Sequence, residues 1–133
     1  MTVMMSSHIL VVDDDDMSRS IYLHLFNAEG YKVSSASDGE KALHMLDVID
    51  DIDLIITDVD MPVISGVELV RSLKEKKSEI PVLVVSSHRD SNLLYELKDL
   101  GYNDYLSKPV RLATLRESVK NILERKRTSP LGE

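Results

Sequence analysis

The chain has 133 residues, 43% of them hydrophobic and 29% charged, a composition typical of one globular domain. A formal net charge of −7 argues against a nucleic-acid-binding surface, because contacts with phosphate groups require clustered lysine and arginine. The absence of cysteine excludes disulfides and thiolate metal sites. No segment resembles a signal peptide or reaches the roughly 18 apolar residues of a membrane span, so we expect a cytoplasmic location.

Short apolar runs alternate with amphipathic segments, and this alternation predicts five strands and five helices. The strands are predicted at 8–13, 32–36, 54–58, 82–86 and 103–106. The first helix is predicted at 16–29, ended by Gly30 in a left-handed cap. Its apolar stripe, at helical spacing, consists of Met17, Ile21, Leu25 and Ala28.

The starts of the next two helices are indicated by Ser-x-x-Glu motifs at 37–40 and 65–68. In each motif the hydroxyl and the carboxylate can satisfy opposite unpaired amides at a helix start. A fourth helix is predicted to begin at Asp90 or Ser91, either of which can cap it. The apolar stripe of the fifth helix consists of Leu112, Leu115, Val119 and Ile122.

The first, third and fourth predicted strands are continuously apolar, a pattern typical of strands that are covered on both faces. With helices between parallel strands, this predicts a doubly wound α/β sheet. The strand at 32–36 is the least apolar and is predicted at an edge. We expect an N-terminal extension at 1–7, the folded domain at 8–124, and a tail or the start of a linker at 125–133.

Polar residues stand at the ends of four predicted strands. Asp13 and Asp14 end the first strand, Asp58 the third, Ser86 the fourth and Lys108 the fifth. Because the carboxyl ends of parallel strands share one edge of a sheet, these residues are expected to converge on one crevice. Each residue alone could be a helix cap, a turn residue or a surface charge, but their joint placement favours a site.

Three carboxylates close together repel one another unless a cation is supplied. Oxygen ligands without histidine or cysteine select a hard cation, and a site with few carboxylates suits Mg²⁺, which Mn²⁺ could replace. Mg²⁺ beside Lys108, a hydroxyl and a free carboxylate is equipment for phosphoryl transfer. Asp58 is the candidate nucleophile, which would form an aspartyl phosphate, and Asp13 and Asp14 would hold the ion.

Together these residues resemble the response-regulator receiver domain of two-component signalling. The resemblance extends over 8–124 and includes the motifs Val11-Val12-Asp13-Asp14, Asp58-Val59-Asp60-Met61-Pro62, Ser65-Gly66, Pro81-Val82-Leu83-Val84-Val85-Ser86 and Tyr105-Leu106-Ser107-Lys108-Pro109. It implies a flavodoxin-like (βα)5 fold, a doubly wound parallel five-stranded sheet in the order 2-1-3-4-5 with helices on both faces.

The resemblance also implies what the site residues do. Asp58 would accept a phosphoryl group from a phosphohistidine of a sensor histidine kinase or histidine phosphotransfer protein. Asp14 and Asp58 would bind Mg²⁺ through carboxylates, Asp60 through its backbone carbonyl and Asp13 through water. Lys108 would pair with the phosphoryl oxygens. The domain would promote only its own phosphorylation and dephosphorylation, and would not be an enzyme acting on other substrates.

Ser86 and Tyr105 match the family's switch residues, whose positions change with the phosphoryl group. The face of the fourth helix, fifth strand and fifth helix would then bind a downstream effector, a linked output domain or a second copy of the chain. Tyr105 is equally consistent with a half-buried core aromatic. Asp60 and His88 occupy positions that flank the phosphoryl group, so they are predicted to modulate its lifetime.

Two alternatives remain open at this point. Asp58-Val59-Asp60 resembles the Asp-x-Asp pair of haloacid-dehalogenase-like phosphatases, although that family places its other acids after this pair and has a cap domain for which the chain lacks room. The chain could also be a pseudo-receiver that binds partners without taking phosphate. The complete set of acids, hydroxyl and lysine argues against this second alternative.

Overall fold

The computed structural model describes residues 6–59, 65–87 and 91–128, and for 91–94 and 126–128 the backbone alone. Strands and helices alternate throughout. The strands are β1 (His8–Val12), β2 (Lys32–Ala36), β3 (Leu54–Asp58), β4 (Val82–Ser86) and β5 (Tyr105–Ser107). The helices are α1 (Asp16–Ala28), α2 (Gly39–Val48), α3 (Gly66–Glu75), α4 (Ser91–Asp99) and α5 (Leu112–Thr128). The predicted alternation is confirmed, and the largest shift is the start of β5, two residues later than expected.

All five strands are parallel and lie in the order β2-β1-β3-β4-β5, which confirms the flavodoxin-like arrangement. Every residue of β1, β3 and β4 is buried, as their continuous apolar runs predicted. The less apolar β2 lies at an edge, again as predicted. Because β1 pairs with β2 on one side and with β3 on the other, the chain reverses direction across the sheet at β1 and β3, where such folds form a crevice.

Two apolar layers cover the sheet, one on each face. Helices α1 and α5 pack on one face, where the buried residues are Ile9, Val11, Tyr22, Phe26, Leu54, Ile56, Leu83, Val85, Leu115, Val119, Ile122 and Leu123. Helices α2, α3 and α4 pack on the other face. Alternate residues of each central strand therefore face opposite layers, as expected of strands that are covered on both sides.

The apolar stripe that the sequence predicted for α1 was wrong in large part, since Leu25 alone of its four residues packs against the layer of α1 and α5. Met17 is 72% exposed and Ile21 is 43% exposed, whereas Tyr22 and Phe26 are buried against the sheet. Tyr22 and Phe26 are four residues apart and therefore lie on one face of the helix, and their large rings bury more apolar surface than the aliphatic set. Phe26 also packs edge-to-face on Tyr31, with ring centroids 6.1 Å apart.

Helix starts follow the predicted chemistry in one case and depart from it in another. Ser65 caps α3 in a capping box with Glu68, in which both expected hydrogen bonds are present. The cap of α2 is Asp38, not the predicted Ser37, because the Asp38 carboxylate accepts from the backbone N–H of Lys41. A charged acceptor is favoured at a helix N-terminus. Asp90 lies outside the described residues.

The ends of the domain bear on two expectations. The fifth helix runs to Thr128, so the first four residues of the predicted tail at 125–133 are helical. The domain limits at 8–124 stay a prediction. Among the residues that the structure describes, no helix combines the length and apolar character that crossing a membrane would require.

Gly66 fixes how α3 begins against the end of β3. Its backbone N–H donates a 3.0 Å hydrogen bond to the carbonyl of Val59. A Cβ on Gly66 would lie 2.8 Å from the Cα of Val59 and would collide with the carbonyl oxygen of Asp58. Both obstacles are backbone atoms, which cannot rotate away as a side chain can.

We therefore expect Gly66→Ala to lower the free energy of unfolding by about 3 kcal/mol, measured by urea denaturation. The matched control is Gly30→Ala, because Gly30 has φ +91° but nothing within 4 Å of an added Cβ. That variant should lose only about 1 kcal/mol, from backbone strain. Equal losses in the two variants would contradict the close approach.

Candidate metal centre

The loop between β1 and α1 holds Asp13 in a fixed position. The backbone N–H of Asp13 donates to the carbonyl of Ala36 at 3.1 Å, so sheet-like pairing with β2 extends one residue beyond β1. The backbone N–H of Asp15 donates to Asp13 Oδ1 at 2.9 Å. Asp15 in turn caps α1 by accepting from the backbone N–H and the hydroxyl of Ser18. These bonds leave Asp13 2% exposed at the end of the strand.

Asp58 ends β3 and lies beside the ends of its neighbours in the sheet. The register pairs Thr57 with Val12 and Asp58 with Val85, which places Asp58 next to the residues that follow β1. Asp58 is 8% exposed. Its backbone carbonyl accepts a 2.9 Å hydrogen bond from the hydroxyl of the preceding Thr57.

Lys108 reaches this position from the other end of the sequence. Its Nζ lies 2.9 Å from Asp58 Oδ2, in an ion pair between residues fifty positions apart. The sheet delivers Lys108 there, because its backbone N–H donates to the carbonyl of Ser86 at 2.9 Å, directly after the pairing of Ser86 with Ser107. The Lys108-Pro109 peptide bond is cis.

Carboxylates of Asp13, Asp14 and Asp58 form a cluster in which one oxygen from each lies within 4.8 Å of the others. Oxygens this close together could hold one divalent ion, directly or through a bound water. The donor set contains only oxygen, which suits Mg²⁺ or Mn²⁺. Asp14 is exposed, so one side of the cluster is open to water and to a ligand.

The electrostatics of the cluster reflect its burial and its charges. Burial raises the pKa of the Asp13 carboxyl, and the charges of Asp58 and Asp14 raise it further, against the lowering effect of the Asp15 amide and Lys108. Burial lowers the pKa of Lys108, but its hydrogen bond with Asp58 and the charges of Asp58 and Asp13 outweigh burial, so its pKa is raised. Lys108 therefore carries its positive charge throughout the neutral range.

Of the other predicted site residues, the structure describes Ser86 and Tyr105 but not Asp60 and His88. Ser86 is fully buried at the end of β4, one residue beyond the partner of Asp58 in the sheet. Tyr105 is half-buried at the start of β5, where it packs against the layer formed by α2, α3 and α4. Asp60 and His88 lie outside the described residues, so their predicted roles stay predictions.

Two residues near the cluster were missed in the sequence. Arg19 donates from Nη1 to the backbone carbonyl of Asp13 at 2.7 Å. Tyr22 is buried on α1, and burial raises the pKa of its phenol, which also feels the charges of Lys108, Asp13 and Asp58. The acidic run before α1 could have suggested Arg19 as a partner at helical spacing. Tyr22 gave no such signal, because only the correct helical face places it near the sheet.

Chemically, the arrangement combines a cation pocket with a carboxylate held beside an ammonium group. Such a carboxylate can bind a divalent ion. It can also attack a negatively charged electrophile, because the divalent ion and the Lys108 ammonium would neutralise the electrophile's charge. Phosphoryl groups are electrophiles of this kind. The geometry therefore agrees with the chemistry expected from the residue types.

Comparisons with known proteins give the family. The family model "Response regulator receiver domain" matches residues 9–120. The response regulator SaeR of Staphylococcus aureus is 32% identical over 120 residues, which are 90% of this chain and 51% of SaeR. A cyclic di-GMP phosphodiesterase of Thermotoga maritima is 31% identical over 115 residues, 86% of this chain and 30% of that protein.

Solved structures agree with this match. A response regulator receiver domain protein of Clostridium thermocellum superposes with a TM-score of 0.85 at 28% identity, covering 93% of this chain and 99% of that one. The chain spans about half or less of the two curated relatives, which are longer proteins. The match over most of its length, the sheet order and the acidic cluster together show that the chain belongs to the response-regulator receiver domain family of two-component signalling.

Proposed function

We propose that Asp58 is the phosphoacceptor of this receiver domain, and that its donor is the phosphohistidine of a sensor histidine kinase or histidine phosphotransfer protein. The observation that carries the proposal is the 2.9 Å contact of Lys108 Nζ with Asp58 Oδ2 beside two further carboxylates. The Asp58 oxygens are thus held next to a fixed positive charge, where an incoming phosphoryl group would also be stabilised.

In the transfer step a carboxylate oxygen of Asp58 attacks phosphorus in line with the phosphorus–nitrogen bond of the donor. That bond breaks, its electron pair stays on the imidazole nitrogen, and an aspartyl phosphate forms on Asp58. Lys108 then pairs with a phosphoryl oxygen in place of the carboxylate oxygen it contacts in the unphosphorylated protein. Attack of water on the phosphorus then breaks its bond to the Asp58 oxygen, releases inorganic phosphate and restores the free carboxylate, so both steps modify only the domain itself.

Mg²⁺ would be held by the carboxylates of Asp14 and Asp58, by Asp13 through water and by the backbone carbonyl of Asp60. When bound, Mg²⁺ supplies charge neutralisation for the phosphoryl oxygens. The fit of the three carboxylates supports this assignment. Asp13 is suited to a water-mediated role because one of its carboxylate oxygens already accepts from Asp15.

Ser86 and Tyr105 are proposed to carry the signal away from Asp58. Ser86 is buried on the strand next to Asp58, and its carbonyl bonds the backbone of Lys108. Tyr105 pairs with Val84 two residues before Ser86, so a change at Ser86 is transmitted along two adjoining strands. The phosphoryl group adds charge and acceptor oxygens that can recruit Ser86 and bias the α4-β5-α5 face.

Partners follow from this assignment and from the length of the relatives. SaeR and the phosphodiesterase extend well beyond the matched region, so a linked output domain or a separate effector would use the α4-β5-α5 face. The same face could join two copies of the chain. The name of the Thermotoga protein transfers no phosphodiesterase activity, because the match covers only 30% of it.

The test of the phosphoacceptor is incubation with a small phosphodonor and Mg²⁺, followed by mass spectrometry. We expect wild type to gain one phosphoryl group and Asp58→Asn to gain none. Asp47→Asn is the matched control, because Asp47 is exposed on α2 and pairs only with Lys76 in the described structure. An adduct on Asp58→Asn would refute the assignment, and continuous release of phosphate from small esters would indicate a phosphatase instead.

If Asp13 helps to bind Mg²⁺, Asp13→Asn should raise Tm in EDTA but reduce the increase in Tm that Mg²⁺ produces. In EDTA, Asp13→Asn should raise Tm by about 2–5 °C, because it removes a buried charge that repels Asp14 and Asp58 while keeping an acceptor for Asp15. Mg²⁺ should stabilise wild type and Asp47→Asn, but Asp13→Asn much less. A wild-type Tm that does not respond to saturating Mg²⁺ would contradict the metal site.

The switch is tested with Ser86→Ala and the neighbouring control Ser87→Ala, since Ser87 is exposed and Ser86 is buried. Amide chemical shifts are compared before and after phosphorylation. We expect the changes at Tyr105 and Leu106 to shrink at least about twofold in Ser86→Ala and to persist in Ser87→Ala, because only Ser86 would contact the phosphoryl group. Unchanged responses in Ser86→Ala would exclude it from the switch.

A further inference from the structure

Arg19 makes contacts that the transfer chemistry above does not use. Its Nη1 donates a 2.7 Å hydrogen bond to the backbone carbonyl of Asp13, and its Nη2 contacts Asp16 Oδ1. The Arg19 side chain is 18% exposed, whereas that of Asp16 is 91% exposed. The guanidinium is therefore held against the protein at the start of α1 and is not extended into solvent.

These contacts complete the fixation of Asp13. Three of its polar atoms have partners: the backbone N–H bonds Ala36, Oδ1 accepts from Asp15, and the backbone carbonyl accepts from Arg19. The carbonyl lies beyond the last residue of β1, and Arg19 supplies it with a hydrogen-bond donor. Arg19 also lies in the first turn of α1, where its backbone N–H donates to the carbonyl of the capping residue Asp15 at 3.0 Å.

Charge and geometry make opposite predictions for this residue. A positive charge beside a cation pocket lowers the affinity for Mg²⁺, so removing it by substitution should strengthen binding if Arg19 acts through charge alone. If Arg19 instead keeps the Asp13–Asp14 loop in its binding geometry, the same substitution should weaken binding. The sign of the effect therefore separates the two roles.

We propose that Arg19 is a positioning residue of the magnesium site, which holds the backbone of Asp13 so that the carboxylates of Asp13 and Asp14 face the ion together with Asp58. The inference rests on the proposed magnesium-dependent function. The planar guanidinium bonds the Asp13 carbonyl through Nη1 and the Asp16 carboxylate through Nη2. A lysine ammonium in the same place could not hold both partners in this geometry.

The test is calorimetric titration of the metal-free protein with Mg²⁺, using Arg19→Met and Arg19→Lys, with circular dichroism to verify folding. Lys41→Met is the matched control. Lys41 donates from Nζ to the hydroxyl of Ser37, one residue after Ala36, so it carries its charge at the same edge of the sheet without a described contact to Asp13.

We expect Kd for Mg²⁺ to rise about tenfold in Arg19→Met and severalfold in Arg19→Lys. In Lys41→Met, Kd should stay the same or fall by about two- to fourfold. Phosphorylation of Arg19→Met by a small phosphodonor should then need more Mg²⁺ for half-saturation but approach the wild-type rate at saturation.

Arg19→Met binding as tightly as wild type, or more tightly, would overturn the inference, as would equal weakening in Arg19→Met and Lys41→Met. A wild-type Kd retained in Arg19→Lys would show that an ammonium group holds Asp13 equally well, and would also overturn the role assigned to the guanidinium. Wild type that binds no Mg²⁺ would instead defeat the proposed function, and the role of Arg19 with it.

Discussion

Three carboxylates with oxygen atoms within 4.8 Å of one another must be held together against their repulsion. Asp13 and Asp58 are buried, so water screens their charges weakly. Lys108 offsets one charge through its 2.9 Å contact with Asp58. When all three acids are ionised, three negative charges and one positive charge leave a net charge of −2. A divalent cation would neutralise that remainder, so the folded cluster could hold a metal that the separate residues would bind poorly.

Sheet topology is what brings these charges together. The strands that end in acids, β1 and β3, are neighbours, and the pairing of Val12 with Thr57 sets Asp13 beside Asp58. β4 and β5 follow on the same side of β3, so Ser86 and Lys108 arrive at the same edge. Gly66 permits α3 to begin against the backbone of Asp58. The site is therefore a property of the whole sheet and is absent from any single segment.

The strands and the converging site could be predicted because continuous apolar runs and polar strand ends are local signals. The strand order could not be predicted in this way, because an apolar run does not indicate which strands it pairs with. The order came from the family resemblance. The helical face of α1 was misjudged because the Met17–Ile21 set and the Tyr22–Phe26 set both have helical spacing, and tertiary packing decides between them. The pairing of Arg19 with Asp16 could have been predicted from their helical spacing, but its hydrogen bond with the backbone carbonyl of Asp13 could not, because a backbone partner leaves no side-chain pattern.

The compensating charge, that of Lys108, directly follows the shortest strand of the sheet. β5 has three residues, lies at an edge and pairs only with β4, while β1 and β3 are fully buried. Regions with few buried contacts open locally at the lowest free energy, so hydrogen exchange should be fastest at this edge. Because the backbone of Lys108 continues the β4–β5 pairing, an opening that breaks this pairing would also displace the ammonium group from Asp58. Local opening of this edge strand and loss of charge compensation at the acidic cluster would then be coupled, and an ion bound at the cluster would oppose both.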